Sequence, residues 1–423
     1  MKQNLIYNGV PWFDQNGDPV NAHGACVVED QGVFYLFGEY KTNYVNKFNG
    51  FSCYSSKDLS TWHFEGLVLP PQKSGFLGPN RIGERVKVIK NEKTGKCIML
   101  MHTDDLNYMD PHIGLAVSDT ITGPYEFVGP LLYKEEPIRR WDMGTFVETD
   151  GTAYLLIHEG DLYRLSEDYL VAEEKVVENI APGGESPTMF RAGEYYFWMF
   201  SNKTSWERND NYYFVAKNLS GPWKSQGLFC PEGSLTHNSQ CSFAFQLNGR
   251  PIYMGDRWSF PRQASSATQV WLPVHVEGNR CMIPEYWAAW DKNTCQSIAI
   301  EGDEREFIFR SNKQGESVQF SFEGSQIIVY GRSDCHGGYA NIQLVNEAGD
   351  IVHKAIIDFY SLVPDSNIRY VSPRLAQGTY TLEVEVLGEN GVWTDKTKTI
   401  FGSDDYYVTV KKVKVVHDYK TVY

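Results

Sequence analysis

Positive charge is scarce in this chain of 423 residues: 39 Lys and Arg face 53 Asp and Glu, a net charge of −14. That balance argues against nucleic acid or an anionic membrane surface as the main partner. Long apolar runs are missing too, and none reaches the roughly 18 residues of a membrane span. The opening Met1-Lys2-Gln3-Asn4 has no apolar signal segment. The chain as written is therefore expected in the cytoplasm, or in the periplasm or outside the cell if a leader has been removed. The eight Cys never fall in C-x-x-C spacing. Cys26, Cys53, Cys97 and Cys241 sit in apolar or strand-like runs, which predicts reduced core thiols and neither a disulfide frame nor a zinc site. No P-loop, H-E-x-x-H or Ser-His-Asp arrangement is present. Helical periodicity is close to absent.

What the chain has in quantity is aromatic residues, with 11 Trp and 26 Tyr. Their flat faces suit sugar rings, and they equally fill a β core. Short aromatic and β-branched runs punctuated by Gly, Asp and Pro recur, an all-β pattern. Five leading strands stand out, each opened by Gly: Gly32 to Gly38, Gly95 to His102, Gly151 to His158, Gly193 to Trp198 and Gly249 to Gly255. A second run follows most of them, as in Phe51-Ser52-Cys53-Tyr54-Ser55-Ser56 or Tyr213-Phe214-Val215-Ala216. Repeats of roughly 40 to 60 residues with several strands each have the size of propeller blades. The expectation is a five-bladed β-propeller over residues 1–296, with a pair of stacked sandwiches as the alternative. After Trp290-Asp291-Lys292 the repeat stops and alternating strands such as Val318, Phe320 and Phe322 take over. Residues 297–423 read as an antiparallel, jelly-roll-like β-sandwich.

One polar residue lies 11 to 14 positions ahead of the middle of each leading strand: His23, Glu84, Asp142, Glu185 and Gln240. Glu185 is the most conspicuous, in Gly183-Gly184-Glu185-Ser186-Pro187 just before an aromatic run, where glycine lets the backbone bend and approach a ligand closely. Equivalent positions in a propeller converge on the central channel. Three carboxylates among five polar groups would then ring one end of it, which is the equipment of glycoside hydrolysis.

At these residues the chain resembles glycoside hydrolase family 43, closest to the branch containing exo-β-1,3-galactanases. The matching segments include Asn21-Ala22-His23-Gly24-Ala25, Phe37-Gly38-Glu39-Tyr40, Glu84-Arg85-Val86-Lys87, Trp141-Asp142-Met143, Gly184-Glu185-Ser186-Pro187, Asn238-Ser239-Gln240 and Met254-Gly255-Asp256-Arg257-Trp258. The resemblance implies an inverting enzyme without cofactor or metal, acting on an oligo- or polysaccharide. Glu185 matches the general acid and Asp142 the modulator of its pKa. The family's usual base, an Asp at the start of the first blade, is replaced here by Ala22 and His23. Gln240 matches the residue that positions the attacking water, through its imidic tautomer, or Glu84 takes the proton through that water. Glu39, Glu84, Asp142, His23, Tyr108 and Asp256 are candidates for holding the sugar, with Trp206 and Trp258 for stacking. Trp271 reads as core, and Asp104-Asp105 as a solvated turn. The acid and the base side should stand roughly 6.5–9.5 Å apart. The expected activity is release of terminal galactose from β-1,3-galactan or related side chains. A β-galactofuranosidase, an α-L-arabinofuranosidase and a non-catalytic sugar-binding propeller are the alternatives.

Overall fold

The computed structural model describes residues 5–395 and 397–417. Strands dominate it, and its two α-helical turns, Leu235–Asn238 and Gln263–Ser266, span four residues each. No helix among the described residues is long and apolar enough to cross a membrane. Between residues 23 and 273 five largely antiparallel sheets follow one another in chain order. Their first strands are His23–Asp30, Arg81–Lys90, Met143–Val147, Glu185–Ala192 and Gln240–Leu247. Each of these packs beside the next, and the fifth packs beside the first, so the five sheets close a ring. That is a five-bladed propeller. A pair of stacked sandwiches over these residues is excluded.

The glycine-opened strands that dominate the sequence pattern are the second strands of the blades, for example Val33–Glu39 and Tyr195–Ser201. Their all-apolar character follows from their place between two neighbours, with both faces covered by adjacent blades. The first strands, nearest the axis, are shorter in apolar content because one end of each faces the channel.

The N-terminal strand Leu5–Tyr7 pairs with Ala289–Asp291, which pairs in turn with Gln296–Ser297. Asn8 clasps the third strand of blade five: its Nδ2 donates to Trp271 O at 2.8 Å, and Trp271 N donates to its Oδ1 at 2.7 Å. Trp271 is fully buried against Trp12 and Trp62, as its sequence context predicts. From Asp303 onward two four-stranded antiparallel sheets face each other across a core of Ile327, Val329, Ile342, Leu344, Leu382 and Val384. All eight Cys are unpaired, and seven are buried.

Candidate active site

The polar residue at or near the start of a first strand is aimed into the channel, in four of the blades by a bulge. Register breaks lie between His23 and Cys26, between Glu84 and Lys87, between Glu185 and Thr188, and between Cys241 and Phe243. In blades one, two and four the residue after the site residue has a left-handed backbone: Gly24 (φ 56°), Arg85 (φ 55°) and Ser186 (φ 51°). A bulge kinks the strand and re-aims its end. Arg85 and Ser186 accept a conformation that L-residues with a Cβ seldom adopt. Local bonds hold them there: Arg85 N donates to Glu39 Oε1 at 2.8 Å, and Ser186 donates through N and Oγ to Asp142 Oδ2 at 3.2 and 3.0 Å.

At each of these bulged pairs a polar residue of the second strand stands opposite the site residue. Glu39 faces His23, His102 faces Glu84, Ser201 faces Glu185 and Asp256 faces Gln240. In blade three, His158 N donates to Asp142 O at 2.9 Å. Two tiers of polar side chains therefore surround the channel end. His102, His158 and Ser201 were not among the residues expected from the sequence.

Arg85 ties the tiers together. Its Nη2 donates to Gln240 Oε1 at 2.8 Å, its Nε lies 3.3 Å from Asp142 Oδ2 and its Nη1 lies 3.7 Å from Asp256 Oδ2. Lys41, 5% exposed, is ion-paired to Glu39 and donates to Asn46 Oδ1 at 2.7 Å. Glu84 accepts from Tyr108 Oη and Asn46 Nδ2, both at 2.9 Å, with His102 Nδ1 at 3.5 Å. His102 Nε2 in turn meets Asp104 at 3.1 Å. Asp104 is thus a fully buried partner of His102, which corrects the reading of Asp104-Asp105 as a solvated turn. Arg85, Lys41, Asn46 and His102 were missed because none stands out in the sequence. Arg85 and Lys41 each lie within two positions of an expected carboxylate, and that proximity was the available signal.

The electrostatics divide these carboxyls. Burial, then the Asp142 carboxylate, pushes Glu185 up to about 8, outweighing Arg85 and Lys203. Burial would also raise Glu84, but the bonds from His102 and Asn46 and the charge of Lys41 hold it well below the usual range. His102 is opposed by burial yet raised to about 9 by Asp104 and Glu84. Burial lifts Asp256 to about 6 against Arg85, and raises Glu39 against Lys41. His23, 1% exposed, lies behind Trp258 with its ring lowered to about 3 by burial and by Lys41, so it is neutral. Near neutral pH Glu185 is therefore protonated while Glu84 is ionised, the division that acid-assisted glycoside cleavage uses.

Gln240 is fixed from both ends. Its Oε1 accepts from Arg85 Nη2 and, at 2.9 Å, from Trp258 Nε1. Both groups only donate, so the atom facing them must be the carbonyl oxygen. Its Nε2 faces Ser201 Oγ at 3.0 Å and Glu185 Oε2 at 3.3 Å. The 6.5–9.5 Å expected between acid and base side is not the Glu185–Gln240 separation; these two side chains touch.

Half-buried Glu185, Asn46, Tyr108 and Trp206 mark where the hollow opens. Trp206 stacks on Phe260 at 5.6 Å and meets Trp258 edge-on at 5.1 Å, and Lys41 Nζ lies 5.4 Å from its ring. Glu84, His102 and Asp142 offer donor atoms within 4.8 Å of one another, although His102 already bridges two carboxylates. A separate cavity of about 470 Å³, lined by Trp12, Asp291 and Arg374 among others, contains none of the site residues.

Comparison with known proteins agrees with this architecture. The structure matches an exo-β-1,3-galactanase from Phanerochaete chrysosporium with a TM-score of 0.72 at 24% identity, over 97% of this chain and 100% of that one. It matches a proposed exo-β-1,3-galactanase from Bifidobacterium bifidum with a TM-score of 0.61 at 33% identity, over 65% and 95%. A β-1,3-galactosidase is similar at 25% identity and a TM-score of 0.63, over 99% and 96%. Among curated protein sequences none matches. The family model described as "Glycosyl hydrolases family 43" matches residues 20–238, more than half the chain. With its five blades and the carboxyls at their channel end, the chain belongs to glycosyl hydrolase family 43.

Proposed function

We propose that the protein is an exo-acting, inverting glycosidase that releases terminal galactose from β-1,3-galactan or related side chains. The single observation that carries the reading is the pair of carboxyls with opposed protonation, Glu185 raised to about 8 and Glu84 held ionised, in one polar hollow. The structural relatives support the choice of sugar: the Phanerochaete enzyme is described with bound galactose and with β-1,3-galactotriose.

In this reading Glu185 protonates the leaving oxygen. Asp142 keeps it protonated and is itself balanced by Arg85 and Ser186. Gln240 turns its NH2 toward Glu185 and the attacking water. Its carbonyl oxygen is already taken by two donors, so the amide does not accept the water's proton, and Glu84 takes it. The bound water attacks a strongly electrophilic, oxocarbenium-like carbon, for which a weak base suffices. Glu39 and Lys41 hold glycon hydroxyls by charge-assisted bonds, and Asn46 and Tyr108 hold them by neutral ones.

The test is incubation with β-1,3-galactotriose, with synthetic β-galactosides, β-galactofuranosides and α-L-arabinofuranosides in parallel. Galactose release from the first two supports the reading. Release from only the furanosides moves the specificity to the alternatives on the same scaffold. Binding of galactose without turnover of any substrate marks a sugar-binding propeller instead.

A further inference from the structure

Trp206 and Trp258 both stand on loops that connect neighbouring strands. Trp206 lies in residues 202–211, between the second and third strands of blade four, and Trp258 in residues 258–267, between the corresponding strands of blade five. Such loops are mobile unless something ties them down. Here one stretch of the C-terminal sandwich ties down both. Tyr360 Oη donates to the carboxylate of Glu207, next to Trp206. The Arg208 guanidinium lies over the Tyr360 ring at 5.6 Å and reaches back to Asn238 Oδ1 at 2.9 Å. Two residues earlier, Asp358 Oδ2 accepts from Ser259 Oγ at 2.7 Å, next to Trp258, and Asp358 Oδ1 accepts from Tyr360 N at 2.8 Å. Tyr339 Oη adds contacts of 3.3 Å to Ser259 O and Phe260 O.

These contacts are buried and charged. Glu207 is 4% and Arg208 3% exposed, and a cavity of about 20 Å³ beside Asp358 has room for a single water. Buried charges tolerate little displacement, because a lost partner leaves a desolvated ion unmatched. The far side of the same loops is the active site. Trp258 Nε1 holds Gln240 Oε1, and Trp206 packs with Phe260 against Lys41. One covalent neighbour therefore separates each sandwich contact from an aromatic side chain of the site.

We propose that Asp358 and Tyr360 of the sandwich are positioning residues for the active site, fixing Trp258 with Gln240 through Ser259 and Trp206 through Glu207. The sandwich is then a working part of the glycosidase and not an appended module. This inference rests on the reading of the hollow as a galactose-releasing site.

The test uses the full chain with Tyr360→Phe, Asp358→Leu and the conservative Asp358→Asn, which still accepts from Ser259. A shift of one hydrogen bond corresponds to KM for β-1,3-galactotriose rising about 3- to 10-fold in the first two variants and staying within about twofold in the third. The alkaline limb of kcat/KM should also move, since Gln240 touches Glu185. A purely structural role lowers the active fraction, which reduces kcat and leaves KM and the pH profile untouched; that result overturns the proposal. Ser259→Ala removes the same contact from the propeller side, and a wild-type KM in it overturns the proposal even where the sandwich variants fail to fold. A wild-type enzyme inactive on every β-1,3-galactoside breaks the functional reading and the inference with it, whereas an active wild type with unaltered variants breaks the inference alone.

Discussion

The channel end of the propeller and the core of the sandwich are both built from largely antiparallel sheets of three to six strands, and they bury opposite chemistry. The sandwich interior is alternating Ile, Val and Leu, such as Ile327 and Val329 against Leu382 and Val384, with side chains on one face meeting those of the other sheet. The channel end encloses Glu39, Lys41, Arg85, His102, Asp104 and Asp256 at 6% exposure or less. Buried ion pairs are seldom a net gain over apolar packing of the same volume. Their concentration here, with bulges and left-handed Arg85 and Ser186 beside them, marks a place shaped for chemistry, while the sandwich core is shaped for stability.

The largest expected effect that sharpens this contrast is loss of the acid. Glu185→Gln should lower kcat on β-1,3-galactotriose by about 10³-fold or more, and far less on an aryl galactoside whose leaving group needs no proton. Equal losses on both substrates would remove Glu185 from that role. Next, Arg85→Met strips the shared counter-charge from Asp142 and Asp256 and should cost about 3–5 kcal/mol of stability, read by denaturant unfolding, together with activity. Leu382→Ala in the sandwich core should cost a similar 2–5 kcal/mol or so yet leave KM and the pH profile of the folded enzyme unchanged. If the two variants behave alike in activity, the division between the regions is wrong.

A further effect concerns pH. Glu185 ionises at about 8 in the folded chain against an ordinary 4.5, so folding favours its protonated form. The stability this contributes is full below pH 4.5 and is lost as pH climbs to about 8. Glu185→Gln, neutral throughout, should therefore gain melting temperature relative to wild type between pH 5 and 9. The rate on unactivated substrates should fall above about pH 8. A flat melting-temperature difference across this range would show that the carboxyl is not held protonated.

How much of this could be read from residues alone follows the physics of each element. The second strands were visible because burial on both faces makes them continuous apolar runs, and the polar residues Glu39, His102, His158 and Asp256 follow those apolar stretches. The first strands were legible only through one polar residue each, His23, Glu84, Asp142, Glu185 and Gln240, which the structure brings together. The bulges were not legible: nothing in Glu84-Arg85 or Glu185-Ser186 announces a left-handed residue that is not glycine. Arg85 and Lys41 were not singled out because their burial depends on carboxylates from other blades. Likewise the orientation of Gln240 is set by Trp258 and Arg85, 18 and 155 positions away.

The most direct test of the central claim is proton NMR of wild type and Glu185→Gln acting on β-1,3-galactotriose in the first minutes of reaction. The account predicts α-galactose as the first anomer from the wild type and almost none from the variant. First appearance of the β-anomer, or release by the variant at the wild-type rate, would contradict it.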